Sequence, residues 1–136
     1  MHSKPLDRRS RFSLWTSEPR DLKIQVQKFC EDRDWDPFHG PKDLAIGLIT
    51  EAAELLEHFR FQSEKESLEL LKEPKERSQV ESELADCFFF ILRFSQRFDV
   101  DLKAALLKKI DENGKKYPVD LSRGSNKKYN KLSKDL

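Results

Sequence analysis

Two short stretches, Glu51-Ala-Ala-Glu54 and Glu83-Leu-Ala-Asp86, constrain this chain more than any others. Each sets two acids three residues apart, on neighbouring turns of one helical face. Around the first lie Leu44, Ala45, Leu48, Ile49, Ala52, Leu55, Leu56 and Phe59. Around the second lie Val80, Leu84, Ala85, Cys87, Phe88, Ile91 and Leu92. Both helices therefore need a broad buried face. At roughly 100° per residue, Glu51 and Glu83 fall at the edge of the apolar arc, with Glu54 and Asp86 about 60° further round. Like charges so near a core are costly unless a cation holds them. An antiparallel pairing of the two helices lets four acids converge, and hard oxygen ligands suit Mg²⁺ or Mn²⁺.

Spacing alone does not separate that reading from solvated surface. Charged residues make up 38% of the chain, and acids three apart recur at Glu31/Asp34, Glu66/Glu69 and Glu73/Glu76 in polar surroundings. The repetition on two strongly apolar helices is what favours a metal cluster. A di-iron carboxylate bundle uses Glu-x-x-His on two helices. Here the third residue after Glu54 is Glu57 and after Glu83 is Asp86, which argues against iron. A non-catalytic helical interaction module leaves the acids beside the core without a purpose.

Helical periodicity, with no strand-like alternation, predicts an all-α fold of four main helices. Residues 1–16 read as a flexible arm, 17–118 as the folded domain and 119–136 as a polar, basic tail. Thr16 or Ser17 caps a first helix carrying Leu22, Val26, Phe29 and Cys30 and ending near Arg33. Asp34-Trp35-Asp36-Pro37-Phe38-His39-Gly40-Pro41 is a loop by its prolines and glycine. Large rings on a loop pack or bind, so Trp35 and Phe38 are candidates for either. The second helix is expected over about Lys42 to Phe61. A charged connection over 62–77 follows, with a short helix near Leu68, Leu70 and Leu71. The third helix is expected over about Ser78 to Phe98. The fourth is capped by Asp99 or Asp101, with Leu102, Ala105, Leu106 and Ile110 as its core stripe, and stops at Tyr117-Pro118. Phe88, Phe89, Phe90, Ile91, Leu92 and Phe94 go most of the way round the third helix, a sign of oligomerisation through the second and third helices, with a well-covered monomer as the alternative. His58, one turn beyond Glu54, is either exposed or a further polar group beside the acids.

With 136 residues and a net charge of +1, the chain reads as one domain with no global charge favouring nucleic acid. The basic tail is diluted by Asp120 and Asp135. No apolar run reaches the roughly 20 residues that span a bilayer. Arg8, Arg9 and Arg11 are followed by no apolar segment of a secretory signal. Cys30 and Cys87 have no metal-like spacing and read as reduced thiols of a cytoplasmic protein.

The ordered set Glu51-x-x-Glu54, Glu83-x-x-Asp86, Lys109-x-x-x-Asn113 and Lys116-Tyr117-Pro118 resembles the all-α MazG-like nucleoside triphosphate pyrophosphohydrolases. Arg33-Asp34-Trp35-Asp36-Pro37-Phe38-His39 and Glu51-Ala-Ala-Glu54-Leu are similar to the dCTP pyrophosphatase branch. The resemblance runs over about residues 20 to 130. It implies a four-helix MazG-like bundle that hydrolyses the α–β phosphoanhydride of a nucleoside triphosphate, giving a monophosphate and pyrophosphate. It further implies that Glu51, Glu54, Glu83 and Asp86 are the catalytic Mg²⁺ ligands. Lys109 and Asn113 would contact triphosphate or sugar, and Trp35 and His39 would wall the base pocket. The chemistry agrees, because acids bind a triphosphate only through cations, and no Gly-rich phosphate loop is present.

The chain also departs from that branch. The resemblance would place a histidine at Val26, a tryptophan at Phe61 and a tyrosine at Phe90. Phe90 lies one turn past Asp86 on the acid face, where the nucleoside should extend. Apolar rings in place of hydrogen-bonding ones should leave a preference for a pyrimidine deoxynucleotide, dCTP first, with looser selection.

Overall fold

The computed structural model describes residues 21–132, and every regular element within them is helical. Helix α1 covers 21–31. A 3-10 turn, Asp36–Phe38, interrupts the loop that follows, and then come α2 (Pro41–Glu57), α3 (Glu64–Leu70), α4 (Pro74–Phe98), α5 (Leu102–Lys116), α6 (Val119–Ser122) and a second 3-10 turn, Tyr129–Lys131. The expected cap at Thr16 or Ser17 and the arm 1–16 lie outside the described residues. The chain divides into two compact units, residues up to Asp99 and residues from Val100 on. Helices α1 to α4 belong to the first and α5 and α6 to the second.

The extensive helix–helix packing among the described elements is that of α2 on α4. Its register is antiparallel. Gly47 faces Phe90, the Glu51 carboxylate meets those of Glu83 and Asp86, and His58 reaches Glu83. Advancing along one helix thus retreats along the other. Leu44 on α2 and Val80 and Leu92 on α4 are buried along this unit, with Cys30 of α1 fully enclosed. The glycine sets the closeness of approach: a Cβ at position 47 would stand 2.4 Å from Phe90 Cε1. The Phe90 ring lies where a side chain of α2 would otherwise be.

Helix boundaries follow local chemistry. Pro41 and Pro74 each occupy the first turn of their helices, where a missing N–H costs nothing and the fixed φ is already helical. The third of the expected long helices accordingly begins at Pro74, not near Ser78. Helix α3 has a full capping box, Ser63 Oγ accepting from the Glu66 N–H and the Glu66 carboxylate accepting from the Ser63 N–H. Asp101 caps α5 by accepting from the Ala104 N–H at 2.9 Å. Helix α2 ends at Glu57, four residues short of the expected Phe61. The turns after it lead to Phe61 at φ 66°, a left-handed conformation no helix continues through. No glycine or proline announces that stop.

Burial departs from expectation on α5. Leu102 is half-buried, but Leu106 and Ile110 of the expected core stripe are exposed, at 62% and 57%. Amphipathic spacing gives the face of a helix, not the surface that covers it. Within this second unit Tyr117 and Tyr129 pack edge to face at 6.1 Å, and the Lys116 ammonium lies 5.2 Å from the Tyr129 ring.

Replacing a mid-helix glycine by alanine ordinarily gains about 1 kcal/mol of helix propensity. At Gly47 the new methyl must displace an aromatic ring, and overpacking of this kind costs about 1–3 kcal/mol. Gly47→Ala should therefore lower stability, read as an earlier denaturant midpoint with an unchanged slope; a stabilised variant would show that Phe90 is not held there.

Candidate active site

Helices α2 and α4 each contribute one stripe to the site. On α4, Glu83, Asp86, Phe90, Arg93 and Arg97 follow one another at spacings of three and four and so share a face. Its first half is acidic and its second half basic. Carboxylate oxygens of Glu51, Glu83 and Asp86 lie within 4.8 Å of one another. Glu51 and Glu83 are half-buried, while Asp86 and Glu54 are exposed, in keeping with the angular offset between the two acids of each pair. Glu54 stands beside Glu51 and interacts with its carboxyl. His58 is half-buried, its Nε2 3.4 Å from Glu83 Oε1, and so belongs to the surroundings of the acids.

Glu51 is the most perturbed of the four. Burial pushes its carboxyl up to about 7, helped by a hydrogen bond with Glu54 and by the charges of Glu54, Asp86 and Glu83. Its Oε2 is shielded from solvent and has no hydrogen-bond partner. A buried carboxylate oxygen without a hydrogen-bond partner, close to two more carboxylates, makes a donor set that suits a cation. Hard, anionic oxygens of this kind fit a divalent ion such as Mg²⁺. Cys87, beside them, is a free thiol pushed up by burial and then by the charge of Glu51.

The basic half of the stripe holds the loop. Asp34 at φ 53° closes α1, with the Trp35 N–H donating to Cys30 O and the Asp34 N–H to Glu31 O. That is the Schellman arrangement, in which a left-handed residue turns the chain and satisfies the last carbonyls. It delivers Trp35 between two rings, Phe29 at 5.6 Å and His39 at 5.8 Å. Phe29 continues to Phe89 at 6.0 Å, and Phe89 to Phe90 at 5.6 Å. Five rings thus run edge to face from the acid stripe to His39. Phe38 is 69% exposed and takes no part in this chain of rings.

Arg93 is wholly buried. Its Nε donates to His39 Nδ1 at 2.9 Å, and its two terminal nitrogens donate to Gln96 and to Asp36 Oδ1. Arg97 adds longer contacts to Asp36, to Oδ2 and to the backbone oxygen, each at 3.5 Å. The Arg93 hydrogen bond holds the Asp36 carboxyl below its usual range, and burial followed by the Arg93 charge holds His39 below its own. Sequence reasoning missed Arg93 and Arg97. The signal was present: both lie on the acid stripe, within an otherwise apolar run, and the loop carries an acid to receive them.

The structure brings together Glu51, Glu83 and Asp86 with Glu54 alongside, and joins Trp35, His39 and Phe90 through one set of rings. Lys109 and Asn113 lie in the second unit, both exposed, with Lys109 3.9 Å from Glu112.

Comparison with known proteins agrees with this frame. The MazG-like family model matches residues 46–132. The chain belongs to the MazG-like family. It is 38% identical over 112 residues to dCTP pyrophosphatase 1 of Rattus norvegicus, a match covering 82% of this chain and 66% of that protein. It is 36% identical over 124 residues to dCTP pyrophosphatase 1 of Homo sapiens, covering 90% of this chain and 72% of that one. The chain thus spans about two thirds of the length of the relatives it matches. Among solved structures, a pyrophosphatase from Archaeoglobus fulgidus superposes with a TM-score of 0.70 at 28% identity, covering 87% of this chain and 98% of that one. The resemblance read from the acids and the Trp35 loop is thereby borne out, as is the all-α class.

The Glu51 carboxyl gives a pH dependence with a definite sign. Its folded-state value is about 7 against an ordinary 4.5, so the metal-free fold binds this proton more tightly than the unfolded chain does. Stability from this group is fully present below the ordinary value and is lost as pH rises through about 7. In chelator, the melting temperature should fall between pH 4.5 and about pH 7, and Glu51→Gln should flatten that fall. Parallel curves for wild type and variant would mean that Glu51 ionises freely.

Proposed function

We propose that the protein is a Mg²⁺-dependent nucleoside triphosphate pyrophosphohydrolase that cleaves a deoxynucleotide, dCTP or a modified dCTP first, to the monophosphate and pyrophosphate. The observation that carries this reading is the Glu51–Glu83–Asp86 cluster with its unpartnered Glu51 oxygen. The names of the relatives support the reaction class.

Glu51, Glu54, Glu83 and Asp86 would hold Mg²⁺, with Mn²⁺ able to take its place. The bound ion neutralises phosphate oxygens and lowers the pKa of coordinated water. The chain's own residues do the remainder. The carboxylates fix where the triphosphate can lie, since it cannot approach them except through a cation. One glutamate of the cluster would orient the attacking water or take its proton. Trp35, His39 and Phe90 would wall the base pocket, stacking giving affinity and His39 polar selection. Lys109 and Asn113 would contact the triphosphate or sugar. Removal of triphosphates from the nucleotide pool fits the cytoplasm suggested by two free thiols. Among the described residues no helix is long and apolar enough to cross a membrane.

The working form is a homo-oligomer, dimer or tetramer. Ile46, Ile49 and Leu56 on α2 and Leu84, Phe88 and Ile91 on α4 are exposed large hydrophobic side chains. Apolar exposure on both members of the central helix pair supports coverage by a second copy. Light scattering at micromolar concentration should give a dimer or tetramer; a monomer would remove this part of the proposal.

Incubation with the canonical and modified nucleoside triphosphates, with product identification, tests the reaction. Pyrophosphate and a monophosphate should form in Mg²⁺, stop in excess chelator and return with Mg²⁺ or Mn²⁺. Glu51→Gln, Glu83→Gln and Asp86→Asn should each lower turnover by about 100-fold or more while retaining helical circular dichroism. Undiminished turnover in any two would place the chemistry elsewhere, and a purine triphosphate as best substrate, by kcat/KM, would overturn the pocket assignment alone.

A further inference from the structure

The contact between Arg93 and His39 fixes something the acid cluster does not: which ring nitrogen of His39 carries its proton. A guanidinium has only N–H donors and no acceptor. Arg93 Nε, 2.9 Å from His39 Nδ1, can therefore only donate, and Nδ1 must be bare. A neutral imidazole with a bare Nδ1 carries its proton on Nε2. Arg93 cannot turn away to relax this choice. It is wholly buried, and its other nitrogens are engaged by Asp36 and Gln96. Asp36 is held in turn by Arg97, so the whole 36–39 turn is pinned to α4. Trp35 packs edge to face against the imidazole at 5.8 Å.

We propose that Arg93 is a positioning residue that holds His39 as the Nε2–H tautomer, so that the loop offers a hydrogen-bond donor to a carbonyl oxygen of a pyrimidine nucleotide. This deepens the proposed function and rests on its placement of His39 in the base pocket. A pyrimidine base presents a ring carbonyl oxygen as an acceptor, which an Nε2–H can satisfy and a bare Nε2 cannot. Selection by a donor of fixed identity is sharper than selection by stacking, because a mismatched substrate leaves a polar group unpaired. The burial that depresses the proton affinity of His39 acts in the same direction, keeping the ring neutral and in a single form. Arginine is required at position 93 in a way lysine is not: only the planar fork serves the imidazole, the carboxylate and the Gln96 amide together.

The test has a spectroscopic arm and a kinetic arm. Two-bond ¹H–¹⁵N correlation spectra of the full-length wild type should show His39 protonated at Nε2 and bare at Nδ1. In Arg93→Lys the two tautomers should mix. With dCTP, His39→Asn should raise KM about tenfold, the loss of one hydrogen bond, with kcat little changed, and Arg93→Lys should raise it only about twofold, the share of rings left in the wrong tautomer. His39→Gln, whose amide nitrogen stands near the position of Nε2, should recover part of the KM that His39→Asn loses. A wild-type ring protonated at Nδ1 overturns the proposal, as does an unchanged KM in His39→Asn. The His39 variants and the wild-type spectrum decide the matter even if Arg93→Lys fails to fold. Failure of the hydrolase reading looks different: a wild type protonated at Nε2 that hydrolyses no nucleoside triphosphate overturns that reading and the substrate half of this proposal, leaving Arg93 as the holder of the tautomer.

Discussion

The antiparallel seating of α4 on α2 is the constraint from which the rest of the site follows. Each helix alone would carry its two acids beside an apolar face, separated and solvated. Pressed together in this register, with Phe90 lying against Gly47, the helices bring Glu51, Glu83 and Asp86 within 4.8 Å of one another. The electrostatic cost of that convergence appears at Glu51, whose burial and neighbours hold its proton up to about 7. Core packing supplies what opposes the repulsion. Apolar burial and carboxylate clustering are therefore one feature of the sequence seen from two sides.

Along α4 the chemistry changes sign within one stripe. Glu83 and Asp86 face the carboxylate of α2; two to three turns beyond Asp86, Arg93 and Arg97 face the carboxylate of the loop. Phe90 lies between the two halves and joins the chain of rings that reaches His39. The acids and the loop are thus both referred to a single rigid helix. A site whose reacting end and selecting end are set by one element keeps their spacing fixed, which a loop anchored only to its own neighbours would not do.

Much of this was legible in the sequence, for reasons that differ between parts. The acid pairs could be read because helical spacing is a local property, and Glu51-Ala-Ala-Glu54 carries its own geometry. The end of α5 could be read from Tyr117-Pro118, and the loop from Pro37, Gly40 and Pro41. The early end of α2 could not, because Phe61 is not a residue that announces a left-handed turn. Exposure of Leu106 and Ile110 was equally invisible, since periodicity shows which face is apolar and nothing of what lies against it. Arg93 is the instructive omission. An arginine between Leu92 and Phe94 reads as an outward charge, and only its partner 57 residues away in Asp36 shows otherwise.

Burying Arg93 is the step that makes the loop more than a connection. An unpaired guanidinium in that position would be prohibitively costly, so its three partners are obligatory for the fold. Those partners come from the same turn that presents Trp35 and His39, and from the helix that presents the acids. The fold cannot satisfy Arg93 without also fixing the imidazole, and it cannot seat α4 without also crowding the carboxylates. Stability and site geometry are in this way imposed by the same contacts. Changes at either end of the α4 stripe should consequently be felt in folding as well as in chemistry, unlike changes on the solvent-facing charges of α3 or α5.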